Sequence, residues 1–185
     1  MFLPREYLIT GQFVNEDDFI HKLEKKFFDG FKLIQIRAKH MSKESLISLS
    51  KLSIKTAEKY EEIKIIINTT PEIACLIDPD GIHLTSENLM KISRRPLPKN
   101  KLVVAACHNI DQLNKAIQIE ADFVTLSPVQ YTNCHPEAKP LGWEYLEEVS
   151  KKYPIPIFAL GGMRDEKISN VTKHGAYGIA SISWW

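Results

Sequence analysis

The sequence has little cysteine, and none of it is in paired spacing. Cys75, Cys107 and Cys134 form an odd set without a C-x-x-C element, which argues against a disulfide framework and against a common zinc module. Zinc held among Cys107, His108, Cys134, His135 and His83 would follow no standard spacing. An excess of one charge is also missing. Twenty-four basic residues face 23 acidic ones, for a formal charge of +1, and no long basic run occurs, so nucleic acid is not expected as a main partner. Apolar runs are short. The stretch 63–67 carries a lysine and falls far below the ~18 residues of a membrane span. The first residues lack the basic segment and the apolar run of ~7–15 residues that a secretion signal needs, so the expectation is a cytoplasmic protein with no membrane contact. No Gly-x-Gly-x-x-Gly follows the first strand-like run, where Gly11-Gln12-Phe13 stands instead, and this weakens a dinucleotide-binding open sheet.

What the sequence does have is alternation. Short β-branched runs at 7–10, 33–37, 63–68, 81–85, 102–107, 123–127, 155–160 and 178–183 are separated by longer amphipathic stretches. Capping-type residues open several of those stretches: Asn15, Ser42, Asn109 and Asp165. Strand–helix units of this kind imply parallel strands joined by right-handed crossovers, and eight of them are what a closed α/β barrel, the (β/α)8 TIM barrel, requires. The expectation is one barrel domain over residues 1–185, with the final helix truncated or missing because the sequence stops at Trp184-Trp185 directly after the eighth run. Those two tryptophans read either as a hydrophobic plug or as a subunit contact, such as that of a homodimer.

Nearly every run ends in polar or glycine residues, which a barrel would gather at one mouth, where active sites of this fold lie. Gln35, Arg37 and Lys39 are spaced two apart, so strand geometry puts them on one face as a site for phosphate or diphosphate; a solvated strand end is the plainer alternative. Gly161-Gly162 suits either close approach of backbone N–H groups to a phosphate or a tight turn. His108 ends the fifth run and is a candidate general acid/base, or else a helix cap. Cys107 faces the other way, as a small buried apolar residue. The connection 129–142 is long enough to be a lid or substrate loop, and the basic stretch 94–99 reads as a solvated loop.

Taken in order, these elements resemble the thiamine phosphate synthase/TenI family of (β/α)8 barrels. Gln35-Ile36-Arg37-Ala38-Lys39 resembles its Gln-x-Arg-x-Lys element, Asn68 the asparagine of its Asn-Asp pair, and Gly81-Ile82-His83-Leu84 its Gly-Val-His-Leu strand. Ala106-Cys107-His108 resembles Ser-x-His, Ser127-Pro128-Val129 with Thr132 resembles Gly-Pro-x with its threonine, and Leu160-Gly161-Gly162-Met163 resembles Ile-Gly-Gly-Ile. The run 178–183 resembles the last strand, whose backbone helps to bind thiazole phosphate. Cys107-His108, His135-Pro136, Leu141-Gly142-Trp143 and a terminal tryptophan are similar to the TenI-like domain fused behind Nudix hydrolases in some bacteria, which implies a functional link to such a hydrolase.

The resemblance implies His108 as the catalytic proton carrier. It implies Gln35, Arg37, Lys39, Asn68, Thr132, His135, Gly162, Ile182 and Ser183 as contacts to phosphorylated pyrimidine or thiazole ligands. It also exposes departures. Thr69 and Asn88 stand where synthases carry magnesium-binding aspartates, and His135 stands where the family has a lysine near the phosphates. Glu87 and Asp80 are the carboxylates near enough in sequence to compensate. Mg2+ is thus expected only of a synthase, and no resident metal is assigned. The leading expectation is TenI-type proton transfer, a thiazole tautomerase. The alternatives are the synthase, which joins hydroxymethylpyrimidine diphosphate to thiazole phosphate, and a non-catalytic barrel that binds a thiamine-related phosphate.

Overall fold

A computed structural model describes residues 3–132, 136–163, 166 and 168–185. Strands and helices alternate throughout: β1 (Glu6–Ile9), α1 (Glu16–Phe28), β2 (Leu33–Ile36), α2 (Lys43–Ala57), β3 (Lys64–Asn68), α3 (Pro71–Ile77), β4 (Gly81–Leu84) and α4 (Ser86–Lys91). The order continues with β5 (Leu102–Cys107), α5 (Ile110–Gln118), β6 (Phe123–Leu126), α6 (Trp143–Lys152), β7 (Ile157–Ala159), α7 (Ile168–Lys173) and β8 (Gly178–Ser181). Every strand pairs in parallel with its sequence neighbour, and β8 closes on β1 through Glu6–Ile179, Tyr7–Ala180 and Leu8–Ser181. The fold is the closed (β/α)8 barrel expected from the alternation, and no helix follows β8 among the described residues.

Three of the four expected caps are formed. Asn15 accepts from the Asp18 N–H, Ser42 from the Ser45 N–H and Asn109 from the Gln112 N–H, each satisfying an otherwise orphan amide of the first turn. Asp165 lies outside the described residues. The seventh strand is shorter than the apolar run 155–160 because Pro154 and Pro156 have no N–H to give to a ladder; only the Pro156 carbonyl takes part, accepting from Val124.

Strand alternation sorts the apolar residues into two layers. Residues such as Leu8, Ile34, Ile65, Val103 and Val124 point outward and pack against the helices. Tyr7, Ile9, Leu33, Ile66, Val104, Phe123 and Phe158 point inward and fill the barrel. Inside, the Tyr7 and Phe123 rings meet edge to face at 5.3 Å, and Phe123 lies 4.8 Å from Phe158. The interior below the mouth is therefore a packed core rather than a channel.

The terminal tryptophans pack on their own barrel. Trp185 lies 5.0 Å from the Phe19 ring and donates its indole N–H to the Gln12 carbonyl, while Trp184 lies 5.6 Å from Phe31. This fits the plug reading.

The stretch 94–99 departs from the expected solvated loop. Arg95 is half-buried and donates to the carbonyls of Leu97, Lys101 and Glu120 and to the Asp122 carboxylate at 2.7 Å. Asp122 also accepts from the Val103 N–H, so this arginine ties the loop to the start of β5. Arg94, Pro98 and Lys99 stand at the surface as expected of a solvated loop, and Lys99 pairs there with Glu120.

Candidate active site

A cavity of about 410 Å³ opens at the C-terminal ends of the strands. It gathers Gln35, Arg37, Lys39, Asn68, His108, Thr132, Gly162, Ile182 and Ser183 into one lining. Of the ligand contacts that the resemblance implies, His135 alone cannot be placed, because it lies outside the described residues, as does Cys134 of the zinc option.

Arg37 and Lys39 extend from the end of β2 toward the cavity, and no carboxylate among the described residues pairs with either. Partial burial and the neighbouring Arg37 charge lower the Lys39 pKa. Two neighbouring cations without a counter-ion among the described residues suit an anion. Gln35 differs from the sequence expectation. It is buried at the cavity floor, gives an amide hydrogen to the Tyr7 hydroxyl at 3.0 Å and accepts one from Asn68 at 3.1 Å. Its side chain is part of an internal hydrogen-bond chain rather than of the cationic group two residues on.

That chain continues from the Tyr7 hydroxyl to His83 Nδ1 at 3.2 Å. Sequence reasoning used His83 only for its family resemblance and as a weak zinc option, and treated Tyr7 as plain strand. The signal available was the inward phase of each strand, which puts Tyr7, Gln35 and His83 on facing sides of one small barrel. Burial, reinforced by the positive charge of Arg37, lowers the His83 pKa to about 3, so the ring is neutral at neutral pH. Its ordinary value is 6.5. Protonation therefore favours the unfolded chain, and this residue's contribution to stability is complete above about pH 6.5 and is lost as the pH falls toward 3. Denaturant titrations between about pH 6.5 and 5 are expected to give a shallower loss of stability for His83→Leu than for the parent, whatever the two absolute stabilities.

His108 follows β5. Its Nδ1 lies 2.7 Å from the Ser127 carbonyl, an acceptor that requires a hydrogen on that nitrogen. In the neutral ring Nε2 is then the basic nitrogen, and the residue lines the cavity. Helix α5 is capped by Asn109, not by His108, so the alternative helix-cap role falls away. Cys107 points outward into the apolar layer, where burial raises its thiol pKa to about 12 and leaves it inert.

Gly161 and Gly162 both have positive φ, 92° and 72°. A Cβ on Gly161 would lie 2.8 Å from Pro128, and one on Gly162 would lie 2.6 Å from the Gln130 Cβ, so both positions require glycine. The loops after β6 and β7 run side by side, with the N–H groups of Val129 and Gln130 donating to the carbonyls of Leu160 and Gly161. Those bonds use the carbonyls of Leu160 and Gly161, and both glycines line the cavity. Just after β8 the Ser183 N–H is taken by the Ser181 hydroxyl.

Magnesium fits this lining poorly. Among the described residues no aspartate or glutamate lines the cavity, and no group of three or more His, Cys, Asp and Glu side chains converges. Asp80 accepts from Lys64 and from the Ile65 N–H, and Glu87 pairs with Lys91 on the exposed face of α4, so neither replaces the missing carboxylates. A hard divalent cation favours carboxylate oxygen, and the lining offers amides, hydroxyls and cations. Thr85, Ser86, Thr125 and Ser181 are lining residues that the sequence reading did not single out.

The fold and this mouth define a (β/α)8 barrel whose polar, cation-bearing cavity sits at the C-terminal ends of its strands. The thiamine monophosphate synthase family model matches residues 6–184. The chain belongs to that family. It is 38% identical to a candidate thiamine-phosphate synthase 2 of Aquifex aeolicus over 99% of this chain and 98% of the relative. It is 30% identical to a thiamine-phosphate synthase of Methanococcus maripaludis, covering 96% and 84%. A solved thiamine phosphate pyrophosphorylase from Pyrococcus furiosus superposes with a TM-score of 0.78 at 22% identity, covering 97% of this chain and 85% of that one, which is a likeness of fold. The chain is thus a thiamine-biosynthesis-type barrel. No helix among its described residues is long and apolar enough to cross a membrane.

Proposed function

We propose that this barrel joins a pyrimidine diphosphate to a phosphorylated thiazole, releasing diphosphate. The observation that carries the reading is a single cavity with two anion poles: Arg37 and Lys39 on the β2 side, and the glycine segment Gly161–Gly162 with Ser183 on the β7–β8 side. Two phosphorylated substrates need two such poles; an isomerase acting on one needs only one. The names of the relatives support the transferase over the proton-transfer reading that led at the start. In the reaction the thiazole nitrogen forms a bond to the pyrimidine methylene carbon as the bond from that carbon to oxygen breaks. The electron pair leaves with diphosphate, toward Arg37 and Lys39. Asn68 and Thr132 line the space between the poles, and His135 is kept as a proposed contact on the strength of its place in the loop.

Tautomerisation of a thiazole carboxylate phosphate stands as a second reading. The described lining, which holds no carboxylate, favours it, as does His108, whose basic Nε2 needs no metal to move a proton. The likeness of the Cys107-His108 and Leu141-Gly142-Trp143 segments to barrels fused behind Nudix hydrolases supports a partnership with a hydrolase of that class in the cytoplasm.

The deciding assay supplies hydroxymethylpyrimidine diphosphate and thiazole phosphate with and without magnesium, beside an authentic synthase. Thiamine phosphate above background is the expected result. If product is missing under both conditions while thiazole carboxylate phosphate isomerises in a manner abolished by His108→Ala, the second reading replaces the first.

A further inference from the structure

Four polar side chains from four consecutive strands are joined beneath the cavity: Asn68 on β3 to Gln35 on β2 at 3.1 Å, Gln35 to Tyr7 on β1 at 3.0 Å, and Tyr7 to His83 on β4 at 3.2 Å. Tyr7 is completely covered, Gln35 is 1% exposed and His83 is 4% exposed, so bulk water does not compete for these bonds. Each member has a limited set of donors and acceptors, and this makes the chain directional. The Asn68 amide N–H donates to Gln35 Oε1. Gln35 Nε2 then donates to the Tyr7 oxygen, which leaves that hydroxyl one hydrogen to give, and His83 Nδ1 is the acceptor within reach at 3.2 Å. A neutral imidazole that accepts at Nδ1 carries its hydrogen on Nε2.

We infer that Tyr7 and His83 are positioning residues for ligand recognition: through this one-way relay they lock the amides of Gln35 and Asn68 in a single orientation and so fix the order of donors and acceptors shown to the bound ring. This inference rests on the proposed function for the identity of the ring. The physical ground is general. An amide side chain can present its oxygen and nitrogen in either order at nearly equal packing, so a floor built from two amides selects nothing until a third group decides their sense. Apolar contacts on the rest of the floor, from Ile9, Ala106, Leu160 and Ala180, have no such preference. The relay therefore supplies what the cation pair cannot. Arg37 and Lys39 attract any phosphorylated molecule, whereas a floor of fixed sense rejects a ring whose donor and acceptor are exchanged, because its buried polar atoms then go unpaired. The ligand class is a neutral nitrogen heterocycle with a donor and an acceptor on one edge, carried on a phosphate or diphosphate.

Two measurements test the inference. The first reads the relay without any substrate: nitrogen-15 spectra of the ring nitrogens of His83 in the free protein. The expected result is an Nε2–H tautomer in the parent, replaced by a tautomer mixture in Tyr7→Phe, which keeps the ring and removes the hydroxyl. An Nδ1–H tautomer in the parent reverses the direction of the chain and overturns the inference. The second reads function in the complete protein with the two precursors. Tyr7→Phe is expected to raise KM for the pyrimidine diphosphate about tenfold, the cost of roughly one misaligned buried hydrogen bond, with kcat and the KM for thiazole phosphate changed much less. His83→Leu should repeat that pattern, and His83→Asn, which returns an acceptor near the place of Nδ1, should recover most of the loss. Equal rises in both KM values, or no recovery in His83→Asn, would mean a general packing role and sink the inference. If the parent protein turns over neither precursor, the transferase reading fails, and the spectra still decide the relay.

Discussion

Arg37→Ala is expected to weaken binding of inorganic pyrophosphate by about ten- to a hundredfold, the range for losing charge-assisted hydrogen bonds to an anion. Pyrophosphate is the suitable probe because it needs no heterocycle and so isolates the cation pair from the relay at the floor. The size of the effect follows from where Arg37 sits. It is half-buried at the end of β2, its backbone N–H is held by the Thr10 hydroxyl at 2.8 Å, and no carboxylate among the described residues pairs with its side chain. It therefore enters the complex from an anchored backbone and with no carboxylate partner among the described residues to give up. Arg94→Ala is the control of equal charge. Arg94 is exposed on the loop after α4 and does not line the cavity, so its loss should change affinity less than twofold, within the range of screened surface charge. Calorimetric titration of both variants at one salt concentration decides the matter, and equal affinities would remove the anion pole from β2. Lys39→Ala should fall between the two, since Lys39 lines the cavity but stands further out into solvent.

The second large effect concerns the barrel itself. Phe123→Ala is expected to cost about 3–5 kcal/mol, the usual range for deleting a fully buried aromatic ring. Phe123 has no exposure and packs inside the barrel against Tyr7 and Phe158, where closely fitted strands leave little room to collapse around a void. Phe28 makes the comparison clean. It lies at the end of α1 with 89% of its surface exposed, and Phe28→Ala should stay within about 0.5 kcal/mol of the parent. Urea unfolding of both reads the difference directly. Similar losses would show that the interior aromatics do not carry the fold.

The departures between sequence and structure share one cause. Gln35 and Arg37 are two residues apart and on one face, as strand geometry requires, yet one is bound into the interior and the other is open to an anion. The difference lies in Tyr7 and Asn68, distant in sequence and adjacent only after the barrel closes. Arg95 looked like one of a run of solvated charges and is instead bonded to Asp122, 27 residues away. Gly81 and Gly178 read as ordinary strand starts, but a Cβ on the first would collide with the backbone oxygen of Leu102 on β5, and one on the second with that of Arg5, just before β1.

Local sequence was enough for the strand–helix alternation, three caps, the shared face of Gln35, Arg37 and Lys39, and the resemblance to the family. All of these depend on local periodicity, local hydrogen bonding and ordered motifs, which are written within a few residues of one another. Only the closed barrel set the register in which β8 meets β1, the separation of Asp80 and Glu87 from the cavity, the division of Gln35 from Arg37, and the contact between Tyr7 and His83 across 76 residues. Those are matters of which side chains meet once eight strands are curled into a ring, and a residue's partner across a barrel leaves no mark on its neighbours in sequence.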